Sequence, residues 1–98
     1  MPGWRIDVPP HVAEVIRHLP PEVKRGVKAA IPAVAEDPSA GEPLRRDLEG
    51  LWKYRVRRYR LAYTVERRAR TVRIFAVGHR RGIYEEVVAR IGRRARPG

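Results

Sequence analysis

The run LWKYRVRRYRLAY, residues 51–63, decides how the rest of the chain is read. Trp52, Tyr54 and Val56 alternate with Lys53, Arg55 and Arg57. That is the period of a strand, with aromatic and aliphatic groups on one side and cations on the other. Arg57-Arg58 then reads as a tight turn, and Tyr59 to Val65 as the returning strand. In that register Arg55 stands opposite Arg60, and Lys53 opposite Ala62. Like charges opposed across a ladder destabilise it by roughly 0.2–1 kcal/mol, so an uncompensated pair suggests an anionic ligand. The competing reading is that long arginine stems cover apolar surface while their heads stay in water.

Downstream, Thr71 to Val77 supplies a third strand of the same antiparallel meander. Tyr84, Val87, Val88 and Ile91 then return to helical spacing. Upstream, DPSAGEP (Asp37 to Pro43) carries two prolines, a glycine and a serine and reads as a loop. Before it, Val23, Val27, Ile31 and Val34 form one helical stripe, and Val12, Val15, Ile16 and Leu19 another, with Pro20-Pro21 between them. Pro21 suits a first helical position. Pro32 removes an internal hydrogen bond and predicts a kink or break near Lys28 to Ile31. At the start, Trp4, Ile6 and Val8 alternate with Arg5 and Asp7 as a short strand stopped by Pro9-Pro10.

The resulting order, β, α, α, β, β, β, α, predicts an α+β fold: a short N-terminal strand, two helices packed on an antiparallel sheet, and a short C-terminal helix. No repeat or change of composition divides the 98 residues, so residues 1–98 read as one domain, with a flexible basic tail from about 93 to 98. The two N-terminal helices bury their stripes on one sheet face, which leaves the other face free for function.

Composition narrows the function classes. There are 22 Lys and Arg against 11 Asp and Glu, a net charge of +11, so a polyanion is the leading partner. With no cysteine, disulfides, thiolate metal sites and a cysteine nucleophile are excluded. Asp7, Glu14, Asp37 and Asp47 are scattered rather than set at ligand spacing, so neither metal nor cofactor is expected. No apolar stretch approaches the roughly 18–20 residues of a membrane span, and no signal-peptide core is present, so the chain reads as soluble and cytoplasmic.

The segment VGHRRGIY brings His79, Arg80, Arg81 and Tyr84 to a strand–helix boundary, where sites are often presented. His79 also fits a plain strand end, and Tyr84 the first position of a packing stripe. Tyr59 is either a core residue or a platform for a base.

The runs DPSAGEPLRRDLEGLWKYRVRRYRLAYTV (37–65) and VRIFAVGHRRGIY (72–84) resemble the RelE/ParE superfamily of bacterial toxins, and its RelE branch in particular. The likeness lies in three ordered blocks: a "dP..G.pL...L.G" approach, a "w..R...yRl.Y" hairpin and a "v..v.HR..vY" terminus. The resemblance implies a ribosome-associated mRNA endonuclease held inactive in a hetero-oligomer by an acidic, RelB-like antitoxin. It implies catalytic roles for Lys53, Arg55, Arg60, Arg80 and Tyr84, with His79 a further candidate. It departs from the family at Arg55, where some members carry a lysine. RNA binding would extend over Lys53, Arg55, Arg57, Arg58 and Arg81.

The implied reaction is attack of the RNA 2′-hydroxyl on the adjacent phosphate, with arginines clamping the phosphorane. Tyr84 or Lys53 would take the hydroxyl proton, and His79 would protonate the departing 5′-oxygen. Two rivals use the same fold or the same surface: a ParE-like gyrase poison and a non-enzymatic nucleic-acid binder.

Overall fold

A computed structural model of the chain describes residues 3–95, apart from the side chains of residues 47 and 92–95. Strand β1 (Arg5–Asp7) leads into helices α1 (Pro10–Arg17) and α2 (Pro21–Glu36). A short 3-10 turn (Pro38–Ala40) follows, then strand β2 (Glu42–Pro43) and a second turn (Arg46–Leu48). The meander β3 (Leu51–Val56), β4 (Tyr59–Glu66) and β5 (Thr71–His79) comes next, and helix α3 (Ile83–Ala95) closes the chain.

The five strands are ordered β1-β5-β4-β3-β2. β1 runs parallel to β5, with Arg5 opposite Thr71, and the other pairings are antiparallel. The meander is antiparallel as expected, and the N-terminal strand makes the sheet mixed by joining it in parallel. β2 lies inside the run read as a loop. Two residues ending in proline carry no alternation for a pattern to register, and proline suits an edge strand because it has no N–H to donate.

Of the kink or break expected near Lys28 to Ile31, the break does not occur: helix α2 continues through Pro32. Pro32 is exposed, so water can hydrate the carbonyl that loses its N–H partner. In α1 the stripe is Val12 and Ile16, while Val15 stays 43% exposed. Leu19 packs on the core from beyond the helix end. Helix α3 extends to Ala95, so residues 93–95 belong to it and not to a tail; 96–98 lie outside the described residues.

Two cores flank the sheet. On one face Val12, Ile16, Val23, Val27, Ala30 and Val34 of α1 and α2 pack on Val56, Leu61, Tyr63, Val72, Ile74 and Val77. Each fully buried valine, isoleucine or leucine among them is worth about 1.5–3 kcal/mol. On the other face α3 lays Ile83 and Val87 over Leu51, Ala62, Phe75 and Ala76. The second face is thus not free along its length, as the sequence suggested.

The ladder explains how α3 fits. Ala62 faces Ala76 but Tyr63 faces Ile74, so Phe75 is an extra residue in β5. This bulge turns both Phe75 and Ala76 toward α3. Arg90 of α3 lies 4.1 Å over the Phe75 ring and donates to the Phe75 carbonyl at 2.8 Å. At the near end of α3, Gly78 permits closure, because a Cβ there would sit 3.0 Å from Ile83 Cδ1. Only the hairpin end of this face lies beyond the start of α3.

Candidate active site

The β3–β4 register places Arg55 opposite Arg60 and Lys53 opposite Ala62, and on the next strand Arg60 faces Gly78. Directly opposed residues share a face with Cβ atoms about 5 Å apart. Arg55 and Arg60 are therefore crowded together, flanked on β5 by Gly78, over which Ile83 of α3 closes. Beyond the end of β5 the Arg80 N–H still donates to the Arg58 carbonyl at 2.8 Å.

The Arg60 guanidinium is held in place. Its Nη1 donates to the carbonyls of Tyr59 at 2.8 Å and Arg57 at 3.1 Å. These oxygens offset part of the repulsion from Arg55, and they leave Nε and Nη2 for an outside acceptor. Among the described side chains no carboxylate oxygen lies within 4.0 Å of Lys53, Arg55, Arg60, Arg80 or Arg81. Arg57 approaches Glu22 of α2 at 4.0 Å, with both groups exposed.

Lys53 sits at the upper edge of this row, its Nζ 5.9 Å from the centre of the Tyr84 ring. Tyr84 packs on the α3-side core, and its hydroxyl is buried with no hydrogen-bond partner among the described atoms. The ring thus fills the packing position of the α3 stripe, with its hydroxyl turned away from solvent.

His79 is not part of the row. It pairs directly with Tyr59, which packs toward the α1–α2 core, so its side chain leaves the sheet on the opposite face from Lys53, Arg55 and Arg60. There its ring meets Tyr59 edge-on, with centroids 5.5 Å apart, and Nδ1 accepts the Arg81 N–H at 3.2 Å. Counting alternate residues from the bulge, which single-sequence patterning does not reveal, moves His79 off the face where it was expected.

One carboxylate was missed because its strand was missed. Glu42 of β2 stands directly across from Lys53 on the cationic face. The loop before it is anchored at depth. The buried Tyr63 hydroxyl donates to the Pro38 carbonyl at 2.6 Å and accepts the Gly41 N–H at 3.2 Å, and burial pushes its pKa up to about 12. A Cβ at Gly41 would lie 2.4 Å from the Lys53 carbonyl oxygen, so glycine alone lets the chain pass this close. Asp37 completes the anchor by accepting from the Ser39 N–H and hydroxyl at 3.1 and 2.6 Å. The Asp, Pro and Gly of DPSAGEP thus serve to set Glu42 beside Lys53.

Residues 6–88 match the model of the ParE-like toxins of type II bacterial toxin–antitoxin systems. The chain belongs to this family. As a ParE-like toxin it is similar to a chain of the toxin–antitoxin complex RelBE2 from Mycobacterium tuberculosis, at 30% identity over 81% of this chain and 93% of that one, with a TM-score of 0.71. The isolated E. coli RelE toxin matches at 29% identity over 90% and 98% of the two chains, with a TM-score of 0.68. A mutant E. coli RelE in the free state shares the fold, at 24% identity over 96% and 99%, with a TM-score of 0.74. No curated protein matches the toxin. Within the RelE/ParE superfamily the toxin lies on the RelE side. Among its described residues no helix is long and apolar enough to cross a membrane.

Proposed function

We propose that this toxin is an mRNA endoribonuclease that acts without a metal on ribosome-bound transcripts in the cytoplasm. The observation that carries the reading is the opposed Arg55–Arg60 pair, with Lys53 beside it and no carboxylate within ion-pair range among the described side chains. A phosphodiester placed there removes the repulsion that the bare hairpin bears. Arg55, Arg60 and Arg80 clamp the non-bridging oxygens through charge-assisted hydrogen bonds as negative charge builds up. Arg57, Arg58 and Arg81 at the rim hold neighbouring phosphates.

RNA brings its own nucleophile. The 2′-oxygen attacks phosphorus as the bond to the 5′-oxygen breaks, one proton leaving the hydroxyl and one reaching the leaving group. Glu42, across from Lys53, accepts the first proton, and the Lys53 ammonium supplies the second. Tyr84, with its hydroxyl sealed under α3, steadies Lys53 through its ring, and His79 takes no part. The products are a 2′,3′-cyclic phosphate and a free 5′-hydroxyl.

The partner that restrains the toxin is an acidic, RelB-like antitoxin, consistent with a net charge of +11 and with the complexes in which similar toxins are found. The family description as ParE-like favours one alternative, inhibition of gyrase by protein contact. Mapping transcript 5′ ends after induction, alongside a gyrase supercoiling assay, decides between them. Arg60→Ala should lower cleavage about 100-fold or more. Transcripts left intact while gyrase is poisoned would replace this reading, and a 5′-phosphate on the products would refute the mechanism.

A further inference from the structure

Two residues left over by this reading, Tyr59 and His79, meet on the other side of the hairpin, and the rim residue Arg57 reaches toward Glu22 of α2 on that side. There a cleft of about 160 Å³ lies between the start of α2 and the β3–β4 turn, lined by Val23, Arg57, Arg58 and Tyr59. At about 30 Å³ per water it holds some five waters, which a flat ring can displace. We propose that this cleft is a nucleotide subsite: it takes one base of the bound RNA strand, stacked between Tyr59 and Val23, with that nucleotide's phosphate on Arg57 and Arg58. The proposal rests on RNA being the substrate.

Three further observations point to such a ligand. The Tyr59 ring is half-buried and braced edge-on by His79 at 5.5 Å, and His79 is itself fixed through the Arg81 N–H. The platform is therefore rigid before anything binds. Arg57 holds a φ of 56° in a two-residue turn, a conformation that glycine adopts freely and arginine resists. Backbone strain retained at an exposed tip suggests that the side chain is needed there. Its one approach to a carboxylate among the described residues, Glu22 at 4.0 Å with both groups exposed, is loose enough for a phosphate to displace.

The path is short. Tyr59 and Arg60 are consecutive, with side chains on opposite faces of β4. A strand whose phosphate rests on Arg60 reaches Tyr59 by crossing the tip, and both tip residues are arginines. Stacking accepts any base, since every base has a π-face, so the subsite adds affinity and fixes the path of the strand without reading sequence.

The test is binding of a fluorescent, uncleavable 2′-O-methyl octaribonucleotide by the full chain. Tyr59→Leu keeps bulk against the core but removes the ring, and should weaken binding at least about fivefold. Tyr59→Phe should bind like the wild type. An abasic nucleotide at one position of the strand should weaken the wild type by the same factor but have no further effect on Tyr59→Leu. Should the leucine variant fail to fold, Arg57→Gly with Arg58→Ala leaves the core untouched, and should weaken binding and reduce the salt slope by about one per lost phosphate contact.

Unchanged binding in a folded leucine variant, or an equal abasic penalty in both proteins, overturns the subsite. If the wild type nevertheless cuts transcripts, the nuclease reading survives that result. A wild type that neither binds nor cuts RNA overturns both.

Discussion

Tyr63 is the most informative place to perturb the molecule, because one hydroxyl joins the centre of the sheet to the loop that carries Glu42. Tyr63→Phe deletes the bond to the Pro38 carbonyl at 2.6 Å and the one from the Gly41 N–H at 3.2 Å. The rest of the ring stays in a fully buried site. An unsatisfied buried polar group costs about 1–3 kcal/mol. Here the carbonyl is buried and the amide only partly so, which argues for a loss of about 2–3 kcal/mol in all. For a domain of this size about 4–8 °C of melting temperature accompanies each kcal/mol, so the midpoint should fall by roughly 10–20 °C at pH 7.

The same residue provides an internal check through pH. Burial raises the Tyr63 pKa from 10.0 to about 12, so the folded state holds the phenolic proton more tightly than the unfolded chain. The resulting stability is complete below pH 10 and is lost as pH rises from 10 through 12. The phenylalanine variant has no such proton, and every other side chain is common to the two proteins. Thermal melts of the two should therefore show a gap that is constant up to about pH 9 and narrows toward pH 12. A gap that stays level over that range, or a variant as stable as the wild type at neutral pH, would refute the role given to this hydroxyl.

Other substitutions test separate parts of the structure. Tyr84→Phe removes a buried hydroxyl that has no partner among the described atoms and should raise stability by about 1 kcal/mol or more in urea titrations; a loss would mean the hydroxyl has found a partner. Arg57→Gly relieves a residue at φ 56° and should stabilise the hairpin by about 1 kcal/mol, read as a higher melting temperature. Gly41→Ala places a Cβ 2.4 Å from a backbone oxygen and should cost about as much as a poor core substitution, 1–3 kcal/mol. At saturating toxin, where lost affinity does not count, His79→Ala should leave single-turnover RNA cleavage within about twofold of wild type, and a 100-fold fall, of the size expected for a lost transition-state donor, would put the imidazole back among the catalytic groups.

The meander was legible because LWKYRVRRYRLAY alternates without interruption and has one place to turn, so the Arg55–Arg60 register followed from spacing alone. The helices were legible for the same reason, down to the buried positions Val12, Ile16, Val23, Val27 and Val34. Three features were not, each because it depends on partners distant in sequence. β2 exists because Tyr63 and Asp37 anchor the loop, and no pattern in Glu42-Pro43 announces that. The bulge at Phe75 adds one residue to β5 and shifts the faces of everything after it, so strict alternation cannot say on which side His79 emerges. The second sheet face looked open because the apolar stripe of α3 had no evident counterpart on the sheet, and only the bulge turns Phe75 and Ala76 toward it together.

These features combine into one design. The bulge and Gly78 allow α3 to seal the apolar part of the face, where Leu51, Ala62, Phe75 and Ala76 need cover. The helix begins at Ile83, and its first core residue already rests against Gly78. It therefore stops over Gly78 and leaves Arg55 and Arg60, beyond it, uncovered. What remains exposed is the part of the sheet with no apolar surface to bury, where the ladder itself forces cations together. A charge cluster on a flexible loop could spread apart in the absence of ligand. Here both arginines are fixed by paired strands, and Arg60 is pinned by two carbonyls, so the repulsion persists until an anion arrives, and relieving it becomes part of the binding energy.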